Sequence, residues 1–211
     1  MLTCAVVFGI EVLFVTFVHV KFAGLYALLI GVPLVNALVT INVGADATGT
    51  LPTAAARLER FVERTWAIIV IDVAITLVGQ IGFDTASAPD AGDILLGVLV
   101  LFLAAMLVYA EPFAALEKDV QTLTVVPFAF LRSMMLCWVN MPRILSLFMI
   151  QIVVTIVQLE LAQFSARGGT QTVMLVTLAY VTVASAPLAA LFTVAYLDTA
   201  AQERRSQEDR R

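Results

Sequence analysis

Apolar residues run along this chain in long blocks, and its polar residues are gathered into short breaks between them. Residues 3–43 form an almost unbroken apolar stretch, about twice the roughly 20 residues one spanning helix needs. A break at His19, Lys21 and Gly24 divides it into a first span, Thr3 to Val20, and a second, Phe22 to Val43. Asn42, Gly44, Asp46 and Gly49 then supply turn chemistry. Thr50, with Pro52 just inside, is expected to open a helix whose apolar positions Leu51, Ala55, Leu58, Val62 and Trp66 alternate four and three apart. That spacing builds one apolar face. The helix leads directly into a third span, Trp66 to Phe83.

The loop FDTASAPDAGD carries Asp84, Asp90 and Asp93 with no basic residue. A fourth span, Ile94 to Ala110, is expected to stop at Glu111-Pro112. Phe113, Leu116, Val120 and Leu123 then predict a short amphipathic helix with Glu117, Lys118 and Asp119 opposite. The stretch Pro127 to Arg143, PFAFLRSMMLCWVNMPR, is a helix too short to cross a bilayer. Its two prolines suit first helical turns, and its Met, Trp and sparse polar residues suit a membrane interface or a groove between spans. A less detailed copy lies at Thr50 to Trp66. A fifth span, Arg143 to Phe164, a turn at Arg167-Gly168-Gly169 and a sixth span, Val173 to Leu197, with a kink expected at Pro187, complete the order. Residues 201–211 read as a charged tail with a disordered end.

The pattern thus predicts an all-α, polytopic membrane bundle of about six spans, one domain over residues 1–200. Two amphipathic elements lie on its cytoplasmic side. Composition agrees: 61% of the 211 residues are hydrophobic, 13% are charged, and the mean hydropathy is +0.99, whereas soluble domains carry about 25% charged residues. The start MLTCAVVFGIEVLF lacks the basic region and cleavage site of a signal peptide, so the first helix is expected to be a retained span. All but Lys21 and Arg167 of the 12 lysines and arginines fall on one side of this arrangement. The positive-inside rule then puts both termini in the cytoplasm of a bacterial-type inner membrane. Cys4 and Cys137 are far apart and form no C-x-x-C pair, so reduced thiols are expected.

Counting inward from the cytoplasmic ends, Glu11, Asn36, Asp72 and Gln151 each lie about seven or eight residues deep, roughly 10–12 Å. They form a candidate polar layer. Asn36 with Thr40, Asp72 with Thr76 and Gln80, and Gln151 with Thr155 and Gln158 extend it as stripes at helical spacing. Intramembrane acids are costly and face the bundle interior. With no Lys or Arg at this level, one or both are expected to be protonated. The layer serves either as interhelical hydrogen-bond glue or as proton or cation sites on a transport path. Glu160 lies nearer the outer end and is in reach of Arg167. Arg57, Arg60 and Arg64, flanked by Glu59 and Glu63, form a basic stripe expected to contact anionic headgroups. Arg132, Met135, Trp138, Asn140 and Arg143 are the candidate partner face.

Catalytic chemistry finds no motif. His19 is the only histidine, which excludes bis-histidine haem ligation and H-E-x-x-H zinc sites. No serine elbow, P-loop or dinucleotide fingerprint occurs. The outward aspartates match no calcium loop. No catalytic residue, metal or cofactor is therefore expected, and nothing points to nucleic acid. The expected partners are the bilayer, its anionic headgroups, and a membrane protein or a second copy of the chain.

The phrases AAARLERFVERTW and PFAFLRSMMLCW resemble the A-L-x-R-S-W phrase that introduces amphipathic helices in bacterial six-span membrane domains. These include the domain attached to glycerophosphodiester phosphodiesterases and related families. The resemblance lies in layout over most of the chain. It implies an accessory or membrane-organising role and transfers no site residue and no phosphodiesterase activity. The first expectation is a non-enzymatic membrane protein that organises protein partners or lipids. The second is a small proton- or cation-coupled transporter using Glu11 and Asp72.

Overall fold

The computed structural model describes residues 31–51, 53–87, 90–117, 124–165 and 170–208, with the side chains of residues 151, 155–156, 158–165, 170–182 and 207 excepted. Within them the chain is helical, with no strand among the described residues. The helices are α1 (Val32–Thr48), α2 (Ala54–Ala86), α3 (Ala91–Met106), α4 (Ala110–Leu116), α5 (Val125–Val139), α6 (Met141–Ser165) and α7 (Thr170–Glu208). Among the described residues three segments are long and apolar enough to cross a membrane: Ala54–Ala86, Ala91–Leu116 and Val183–Ser206. A fourth qualifies if α5 and α6, bent by 109° where they meet, count as one broken span. The expected first span and the start of the second, with Cys4, Glu11, His19 and Lys21, lie outside the described residues.

Several boundaries differ from the sequence reading, each for a local reason. α1 continues through Asn42, Gly44 and Asp46 and stops at Gly49, which takes φ 67° and returns its N–H to the Ala45 carbonyl. Only a residue without Cβ adopts that left-handed turn readily. Thr53, not Thr50, caps α2, its hydroxyl accepting from the Ala56 N–H at 3.2 Å. α2 then runs unbroken for 33 residues, about 50 Å, so the expected amphipathic helix and third span are one element. α7 is likewise continuous through Pro187 and onward to Glu208, which makes most of the expected tail helical.

Small side chains set the packing. Ala37, Ala67, Ala110, Ala114, Ala115 and Ala129 are fully enclosed, letting helices approach closely where apolar contact with lipid gives no drive for association. Around them lie Ile41, Ile68, Ile71, Val125, Leu136 and Ile144. Tyr109 and Tyr196 meet edge to face, their ring centres 6.0 Å apart. Gly97 of α3 lies against the backbone of Ala86, so that α2 and α3 touch without side chains between them.

α2 is turned opposite to a soluble amphipathic helix. Its expected apolar face turns outward, with Leu58 60% and Val62 70% exposed. Its inward face holds Arg60, Arg64, Ala67, Ile68 and Ile71. A helix whose apolar face is solvated by lipid and whose charges are answered by other helices has this orientation.

Candidate functional site

An acid pair lies where α1, α2 and α4 meet. Asp72 on α2 comes within side-chain hydrogen-bonding reach of Glu111 on α4 and of Asn36 on α1, all three partly buried. Two carboxylates present acceptors only, so a hydrogen bond between them takes a proton on one of them. The Asn36 Oδ1 is buried with no hydrogen-bond partner among the described residues. Asn36 and Asp72, expected at one depth, are thus brought together. Glu11 lies outside the described residues, as does the side chain of Gln151. Among the described residues no group of three or more His, Cys, Asp or Glu side chains gathers as a metal site would require.

Glu111 is the member that sequence reasoning missed. Glu111-Pro112 reads as the end of a span, followed by an interfacial helix. The chain instead breaks and resumes inside the bundle. Pro112 has no N–H, and within an unbroken helix its ring would strike the carbonyl four residues back, that of Val108. α3 therefore ends at Met106, and α4 starts at Ala110 with Pro112 in its first turn. There the missing N–H costs nothing. The linking residues use tight bonds to the third residue back: Leu107 N–H to Ala104, Val108 to Ala105 and Ala110 to Leu107, at 3.1, 3.3 and 2.9 Å. The break leaves the Tyr109 N–H and Met106 carbonyl without helical partners. Each would cost several kcal/mol unsatisfied in hydrocarbon. The Ser133 hydroxyl of α5, fully buried, accepts from the first at 3.0 Å and donates to the second at 2.8 Å.

At one end of the bundle the charged groups converge. Arg57 donates to Asp46 at 2.6 Å and to the Asn42 Oδ1 at 3.2 Å. Arg60 donates to the carbonyls of Ala115 and Glu117 at 2.9 and 2.6 Å, and Arg64 reaches the latter at 3.5 Å. These carbonyls end α4 and have no helical donors of their own. The Glu117 carboxylate accepts from the Tyr196 hydroxyl at 2.7 Å and lies 3.9 Å from Arg204. Arg132 grips Glu203 through both guanidinium nitrogens, and Arg143 pairs with Asp198 at 2.6 Å. Asp46, Arg60, Glu117, Asp198 and Glu203 come from three different helices and the end of α4.

Two of the three arginines of the expected headgroup stripe turn into the bundle. Arg60 and Arg64 are 8% and 1% exposed and satisfy carbonyls inside the bundle. Arg57 is also engaged, with Asp46. On the expected partner face, Met135 and Trp138 are exposed, Trp138 by 70%. Arg132 and Arg143 instead turn to α7. Asn140 marks the bend, its N–H closing α5 on the Leu136 and Cys137 carbonyls while its own carbonyl accepts from Arg143 and Ile144. α4, expected as an interfacial helix, has Phe113, Ala114 and Ala115 buried, while Lys118, Val120 and Leu123 lie outside the described residues. The acidic loop is structural where it is described. Asp90 caps α3 through the Gly92 N–H at 2.7 Å, and Asp84 accepts from Gln80 at 2.8 Å. Cys137 is buried and unpaired in a disulfide.

Compared with protein-family models, curated proteins and solved structures, the chain matches none.

Proposed function

We propose that this chain is a membrane protein that binds and passes protons at Asp72 and Glu111. One observation carries the reading: two partly buried carboxyl groups from different helices come within hydrogen-bonding reach of each other. Structural glue needs no such pair, because an Asn–Asp contact would hold α1 to α2 without the cost of a second intramembrane acid, about 2.5–3.5 kcal/mol. A proton is the natural ligand for two oxygens that already require one, whereas a divalent ion takes six or more oxygen ligands. The broken α3–α4 span agrees with this, since discontinuous helices commonly supply ion sites near the bilayer midplane.

The reading takes the about six spans that the hydrophobic pattern predicts, among which α2, α3–α4 and the Val183–Ser206 part of α7 are long and apolar enough to cross. The near one-sided distribution of Lys and Arg puts both termini in the cytoplasm of a bacterial-type inner membrane. In proteoliposomes loaded with a pH-sensitive dye, a pH step drives proton flux through the wild type. Asp72→Asn and Glu111→Gln, each eluting as a folded protein, abolish it. Wild-type flux in both variants would overturn the reading.

A second reading, an accessory protein that organises partners or lipids, is favoured by the exposed Met135 and Trp138 on α5. It is compatible with the first, because the exposed side of α5 is separate from the side that carries Ser133.

A further inference from the structure

We infer that Ser133 is a positioning residue for the acid pair, acting through the α3–α4 break to set where Glu111 lies. The inference rests on the proton-site reading for its purpose, but its geometry stands independently. Glu111 is the second residue of α4, so the start of α4 fixes its direction of departure. Three tight bonds, donated by Leu107, Val108 and Ala110, lead into that start. Each turns the chain by about 120° rather than 100°, an offset of roughly 60° over three residues relative to a continuous helix. Without that offset, Glu111 would leave the span on a different face from the one that meets Asp72.

Pro112 keeps the span broken, and a single hydroxyl fixes the local geometry of the break. Ser133 bridges the two backbone groups that the break releases, the Met106 carbonyl and the Tyr109 N–H. No water is needed to satisfy either. Ser133 belongs to α5, and its contact ties the break to a helix that carries no member of the acid pair. The neighbouring Cys137 Sγ lies 3.9 Å from the hydroxyl, too weak an acceptor to draw it from the Met106 carbonyl. With alanine at position 133, the two backbone groups regain partners only if the linker rearranges within the break that Pro112 imposes. That rearrangement moves Glu111 away from Asp72.

The test uses the full chain in lipid bilayers, with carbon-labelled carboxyl and threonine side chains, and solid-state NMR correlations read in each variant. The wild type shows a cross-peak between the Asp72 and Glu111 carboxyl carbons. It also shows a second between Thr40 and Thr193, whose hydroxyls meet at 3.2 Å elsewhere in the bundle. Ser133→Ala is expected to lose the first and keep the second, and Ser133→Thr, which retains the hydroxyl, to keep both. A carboxyl cross-peak that survives in Ser133→Ala overturns the assignment. So does loss of both cross-peaks in both variants, because Ser133 would then support the fold at large. Proton flux on the same samples keeps the two ideas apart. Loss of the carboxyl contact without change in flux supports the role of Ser133 and removes the transport reading. Absence of the carboxyl contact in the wild type overturns both.

Discussion

Arg60, in the second turn of α2, closes the far end of α4 by donating to the carbonyl oxygen of Glu117 at 2.6 Å. A second donation, to Ala115 at 2.9 Å, makes the guanidinium a C-terminal cap supplied by another helix. Its positive charge also suits the negative end of the α4 dipole.

Arg60→Ala leaves the Ala115 carbonyl without its donor and the Glu117 carbonyl with only the 3.5 Å contact from Arg64, and the expected loss is about 1.5–3 kcal/mol, the range for hydrogen bonds to charged groups. Leu58→Ala, two residues away on the outward face, is expected to change stability by less than about 0.5 kcal/mol. Chemical unfolding in mild detergent reads both. Equal losses would mean that the inward and outward faces of α2 are misassigned.

Gly97 and Gly79 make a second contrast. A Cβ at Gly97 would lie 2.2 Å from the Ala86 backbone nitrogen and 2.5 Å from its Cα, so backbone has to move. Gly97→Ala is expected to destabilise the α2–α3 hairpin by about 1–3 kcal/mol. A Cβ at Gly79 meets nothing within 4 Å among the described residues. Gly79→Ala gains helix propensity there, about 0.5–1 kcal/mol. Opposite shifts in the thermal midpoint are the expected outcome.

The hydrophobic blocks made the helical class legible, and counting depth along the spans placed Asn36 level with Asp72. Two features stayed hidden. Periodicity shows that α2 has an apolar face and a basic face, but it does not say which one lipid takes. Arg60 and Arg64 turned inward because α4 offers them carbonyls that only the fold reveals. Glu111 was hidden by Pro112, which reads as a terminator. It acts instead as the first turn of a resumed helix, and the Ser133 contact that makes the break tolerable comes from 24 residues further on.

Arg132 and Glu203 form a two-pronged pair between α5 and α7, each about a third exposed. A double-mutant cycle with Arg132→Ala and Glu203→Ala is expected to give a coupling of about 0.5–1 kcal/mol, reduced by salt because the pair is partly solvated. A coupling that does not respond to ionic strength would contradict this placement.

Of the two tryptophans, Trp138 stands further out than Trp66, at 70% against 39% exposed. In Trp66→Phe, where Trp138 is the remaining emitter, brominated lipids are expected to quench strongly in reconstituted bilayers. Shielding from these lipids in native membranes, lost on purification, would identify the exposed face of α5 as a partner surface and support the organising role.

The central claim is that Asp72 and Glu111 hold one proton between them inside the membrane. Infrared difference spectroscopy of the reconstituted protein, titrated with acid and base, measures it directly through the stretching band of a protonated carboxyl. One titrating carboxyl band is expected in the wild type, removed or displaced in both Asp72→Asn and Glu111→Gln. A band unchanged in both variants would contradict it.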